Sequence, residues 1–261
     1  MISFPEIASW STKCLCSQYL SVHVAEALAR VLDADRTSRD QTVTWAVGVL
    51  SDGDWEVLGA WPGVAVDRAF WRGIWDDLDS RGVDRISLVC ASDPNARTLC
   101  AGVEVLPPFR PTPGEGHAPA ASSLGVLRAE ARRAVREASG VRAARLALER
   151  LLSGSGTGRA AVLALDWPAV LDGLRPFYAL RPHRRALVRA GDEYLEQLGH
   201  GLRRAVARHG PFADLAAAVS FVSQTLFRDE LRLKFSKLSG LAWPRLRVVG
   251  ADAAGLASLG H

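Results

Sequence analysis

A change of hydrophobic period over residues 19–93 constrains this chain more than any other feature. Residues 19–24 form a short apolar run, residues 42–50 (TVTWAVGVL) are β-branched and aromatic, and residues 55–61 (WEVLGAW) follow a Ser51-Asp52-Gly53-Asp54 turn. These three read as strands of a meander. Residues 67–81 then switch to helical spacing, with Phe70, Trp71, Ile74, Trp75 and Leu78 on one side, Asp67 placed to cap the start and Gly82 to stop the end. Residues 85–90 (RISLVC) return to a buried strand that runs into Ala91-Ser92-Asp93-Pro94.

Residues 107–123 contain five prolines and no periodicity, which marks a linker. Helical patterns follow over 124–152, 159–174, 184–209 and 212–238, with Ser153 to Gly158 as a flexible break, Pro211 at the start of the last helix and Gly240 past its end. The expected organisation is a sheet and first helix over 1–106, the linker, a helical insertion over 124–180, helices completing the core over 181–240, and a tail. Strand, strand, strand, helix, strand is the opening order of a ribonuclease-H-like α/β fold, here with a helical insertion and a helical C-terminal part.

Composition narrows the function classes. No stretch approaches the ~18 consecutive apolar residues of a membrane span, and the N-terminus lacks a secretory pattern, so a cytoplasmic protein is expected. The four cysteines, Cys14, Cys16, Cys90 and Cys100, follow no zinc-site spacing. The net charge of +4 divides unevenly: residues 1–120 carry 10 Lys+Arg against 16 Asp+Glu, and residues 121–261 carry 22 against 12. The basic half is the candidate nucleic-acid surface. Arg184, Arg185, Arg189, Arg203, Arg204 and Arg208 are its densest run and the expected DNA contacts.

The order Gly48-Val49, Asp52-Gly53, Glu56-Val57-Leu58-Gly59, Trp71, Leu78 to Gly82 and Ser92-Asp93 resembles the mutator family of bacterial DDE transposases. A second stretch, LEQLGHGLRR over 195–204 with Gly210-Pro211-Phe212 after it, is similar to the family helix that carries the catalytic Glu. The resemblance implies three carboxylates around two Mg²⁺ or Mn²⁺ ions, one activating the attacking oxygen and the other stabilising the leaving oxygen of a phosphodiester. Asp93 and Glu196 match two of these catalytic, metal-binding positions.

The third falls on Asp33 if the first strand runs through VLDAD. In the alternative register Asp33 belongs to the hairpin and His23 takes the mid-strand place. The family's Cys and His motif after the second Asp is missing, with only His117 in that segment, and Glu193 replaces the family's Asn. The family's N-terminal helical DNA-binding domain is expected to be absent. Three readings stay open: a DNA-binding protein with degenerate or absent strand-transfer activity, an active metal-dependent transposase or nuclease, and an interaction protein on the same scaffold. DNA is the expected partner, with a homodimer left open.

Overall fold

The computed structural model describes residues 13–33, 35–63, 67–107, 123–153 and 167–242. Five strands form one mixed sheet: β1 (Gln18–Leu32), β2 (Ser38–Val49), β3 (Trp55–Pro62), β4 (Arg85–Cys90) and β5 (Glu104–Leu106), in the order β3-β2-β1-β4-β5. β1 pairs antiparallel with β2, β2 antiparallel with β3, and β1 parallel with β4, which is parallel to β5. This mixed α/β sheet is consistent with the ribonuclease-H-like fold expected from the order of elements.

One face of the sheet is covered by α1 (Arg68–Ser80), whose Trp71, Ile74 and Leu78 pack among Val22, Leu58, Ile86 and Val89. The helix starts where the Asp67 carboxylate accepts the Phe70 N–H at 2.7 Å. It stops at Gly82, whose φ of +101° is a left-handed turn that glycine adopts without a Cβ penalty.

The opposite face carries the helices of the C-terminal half. The long α6 (Pro182–His209) and α7 (Leu215–Ala242) lie over β1, β2 and β3, burying Ala27, Ala29, Val31, Val43, Trp45 and Val47 with Leu198, Leu202 and Val222. Beside them α2 (Ser123–Glu137), α3 (Val141–Ser153), α4 (Trp167–Gly173) and α5 (Arg175–Ala179) gather around Leu88, Cys90 and Leu106. The helix expected over 124–152 is therefore two, separated at residues 138–140, where Gly140 precedes α3. Of the helix expected over 159–174, residues 159–166 lie outside the described residues.

β1 is much longer than the apolar run 19–24. It continues as Ala25, Ala27, Ala29 and Val31 toward the helical face, alternating with Glu26, Leu28, Arg30 and Leu32 on the other. Alanine supplies little apolar signal, yet it allows α6 to approach the strand closely. The strand ends at Leu32, where the Leu32 N–H donates to the Phe212 carbonyl at 2.8 Å and the Phe212 N–H donates to the Arg30 carbonyl at 2.8 Å.

Candidate functional site

The centre of the sheet places His23 of β1 in register with Val47 of β2 and Cys90 of β4. His23 is fully buried. Its Nε2 lies 3.0 Å from Ser21 Oγ, and its Nδ1 is a buried atom with no hydrogen-bond partner. Over it passes α6 at Gly191, so closely that an added Cβ would lie 2.3 Å from His23 Nε2 and 2.7 Å from Val49 Cγ2. The next helical residue, Asp192, is buried and pairs with Arg136 of α2, Oδ2 to Nη1 at 3.4 Å.

Burial sets the protonation states here. Desolvation lowers the His23 pKa to about 3, so the imidazole is neutral at physiological pH. The Cys90 thiol is pushed up, by burial first and by the Asp192 charge second. Because unfolding returns His23 to its ordinary value of 6.5, the unfolded chain binds the extra proton between these limits. The His23 contribution is thus complete above pH ~6.5 and falls toward pH ~3, by up to about 1.4 kcal/mol per pH unit. Urea midpoints of wild type and His23→Asn across this range should show a shallower acid loss in the variant, and equal slopes would contradict the assignment.

Asp33 and Asp93 are each held by contacts of their own. Asp33 follows the last residue of β1 and makes the hairpin: its N–H donates to the Thr37 carbonyl at 2.7 Å, and its Oδ2 lies 2.9 Å from Arg39 Nε. Ten residue steps of chain separate it from His23, about 33 Å when extended. Asp93 turns toward the α1 face, where Oδ2 accepts the Trp71 indole N–H at 2.8 Å and Oδ1 accepts the Asn95 backbone N–H at 2.9 Å. Glu196 is exposed on α6, on the helical side of the sheet. The structure thus holds Asp33 in the hairpin, at the far end of β1 from His23.

Among the described residues, no group of three or more His, Cys, Asp or Glu side chains is gathered to hold a metal ion. The donors present do not fit a pair of hard divalent cations. Mg²⁺ and Mn²⁺ need several oxygen ligands at about 2 Å, and one imidazole nitrogen cannot bridge two of them. The residues at the sheet centre that sequence reasoning missed are Gly191, Asp192 and Arg136. Asp192 carries a readable signal, since it lies four residues after Val188 and three before Leu195, on the apolar side of the helix.

The six arginines divide by role. Arg185 Nη1 donates to the Ser139 carbonyl at 2.7 Å, and Arg189 Nη1 donates to the Arg136 carbonyl at 3.2 Å, so these two side chains bind the end of α2. Arg184 is half-buried nearby. Arg203, Arg204 and Arg208 are exposed on the distal half of α6.

Residues 4–98 match the model of the mutator family of transposases. The matched segment carries β1 to β4, α1 and Asp93, and it contains the stretch from Gly48 to Asp93 that carries the resemblance. His23, at the centre of the first strand, lies within it as well. The second stretch of resemblance, around Glu196, lies beyond its end. A search of curated proteins gave no match. No helix among the described residues is long and apolar enough to cross a membrane.

Proposed function

We propose that this chain is a transposase-derived DNA-binding protein whose strand-transfer site is degenerate. The observation that carries the reading is His23: within the mutator-family segment, the middle of the first strand holds a buried, neutral imidazole closed over by Gly191, in place of a solvent-facing carboxylate. Two-metal phosphoryl transfer needs a bridging acid there. Without a bridging acid at that place in the strand, this chain's residues supply binding rather than bond cleavage.

Binding falls to the exposed arginines. Arg203, Arg204 and Arg208 lie within one and a half turns of α6, a spacing that lets guanidinium groups meet neighbouring phosphates along a backbone. Such contacts read charge rather than sequence, and releasing counterions makes them salt-sensitive. Arg185 and Arg189, engaged with carbonyl oxygens of α2, contribute less.

A gel-shift titration on unrelated duplexes at several salt concentrations tests this. Binding should be similar across sequences and weaken steeply with salt. The triple variant Arg203→Ala, Arg204→Ala, Arg208→Ala should lose at least ~10-fold in affinity, and its log-log salt slope should be shallower by about 2 to 3. Undetectable binding at low salt, or binding unchanged in the triple variant, would favour an interaction protein on the same scaffold.

A further inference from the structure

Besides apolar packing, four polar contacts fasten the C-terminal end of α2 to the neighbouring helices. Ala131 and Val135 of α2 pack in one buried cluster with Leu88 and Cys90 of β4. The Val135 carbonyl accepts the Tyr178 hydroxyl at 2.7 Å, the Arg136 carbonyl accepts from Arg189, and the Ser139 carbonyl just past the helix accepts from Arg185. The carbonyls at a helix end lack intrahelical partners, and here side chains of α5 and α6 bind them. The fourth contact is electrostatic, between the Arg136 guanidinium and buried Asp192.

Two of the residues held there neighbour His23. Cys90 is its strand neighbour, and Asp192 follows the glycine that touches its ring. In a metal-dependent enzyme, an acid reaching this part of the sheet from a helix would meet a divalent cation from solvent. In this chain Asp192 meets a guanidinium supplied by the chain itself, on a helix whose Ala131 and Val135 share a buried cluster with Cys90.

We infer that the end of α2 is a built-in cover over the inherited site, with Arg136 supplying the positive charge that Asp192 meets there. This rests on the reading of the sheet centre as a former transposase site. Lifting α2 parts Asp192 from the guanidinium and uncovers the cluster that holds Cys90, while α6 stays over His23. Release requires breaking the Arg136–Asp192 pair together with the bonds from Tyr178, Arg185 and Arg189, so the cover opens as one unit.

Cys90 reports directly on that opening, because its thiol lies beneath the cover. In a background of Cys14→Ser, Cys16→Ser and Cys100→Ser, its reaction with a thiol-specific reagent is followed under native conditions, beside the global unfolding rate from circular dichroism. In the otherwise wild-type chain, Cys90 should react no faster than global unfolding permits. Arg136→Ala should accelerate labelling at least 10-fold beyond any change in the unfolding rate. Tyr178→Phe, which removes one hydrogen bond and little volume, should accelerate it more modestly and serves where Arg136→Ala folds poorly.

Millimolar Mg²⁺ or Mn²⁺ should leave the wild-type labelling rate unchanged. Rapid labelling in the wild-type background would overturn the cover, as would variants whose labelling only tracks global unfolding. Slowing by Mn²⁺ in the wild-type background would overturn the role of Arg136. Metal-dependent DNA cleavage by the purified chain is a separate readout: it would refute the proposed function, whereas the labelling rates judge the cover.

Discussion

Gly191→Ala is expected to destabilise the protein by about 2 kcal/mol, although alanine is the better helix former. Helix propensity alone would favour the substitution by ~1 kcal/mol. The new Cβ, however, would lie 2.3 Å from His23 Nε2 and 2.7 Å from Val49 Cγ2, and neither neighbour has free space to yield into. Overpacking of this kind costs up to about 3 kcal/mol, so the clash outweighs the propensity gain. Urea denaturation should show the loss, and in a His23→Ala background it should shrink by ~1 kcal/mol or more because the ring is the nearer obstacle. A stabilised Gly191→Ala protein would mean that α6 does not press on the sheet at His23.

Arg136→Met should cost about 3 kcal/mol. Asp192 is 5% exposed in its side chain and Arg136 24%, so removing the arginine leaves a carboxylate with little access to water. Breaking one side of such a pair costs more than replacing both, since the penalty is the stranded charge and not the lost attraction. The double variant Arg136→Met, Asp192→Asn should therefore recover at least about half of the loss. If the double variant is as unstable as the sum of the single ones, the pair does not couple α2 to α6.

How far the sequence disclosed this arrangement depends on the kind of signal each element carries. β2, β3, α1 and β4 combine β-branched or aromatic residues with clear turn chemistry, and their residue types alone place them. The second half of β1 is harder to read, because Ala25, Ala27 and Ala29 are neutral in pattern and are buried only because α6 covers them. That missing length decides where Asp33 lies: with the strand ending at Leu32, Asp33 belongs to the hairpin and His23 to the sheet centre. The segment that matches the family model includes both residues, and His23 is the one at the sheet centre.

The pairing of Arg136 with Asp192 was not legible, because 56 residues separate the partners and no local pattern joins a helix of the insertion to α6. Charge density pointed to all six arginines of α6 alike. Only the fold separates Arg185 and Arg189, bound to the carbonyls of α2, from Arg203, Arg204 and Arg208, which face solvent.

On the proposed reading, a segment that matches the mutator-family model keeps its sheet but holds His23 where the chemistry needs a bridging acid. The most direct test incubates purified protein with plasmid and short duplex DNA in Mg²⁺ and in Mn²⁺, scoring nicking, double-strand cleavage and strand joining. The account predicts no product above that of a His23→Ala control, at protein concentrations that shift the same DNA in a gel. Metal-dependent cleavage that disappears in Asp33→Asn, Asp93→Asn and Glu196→Gln variants would contradict it.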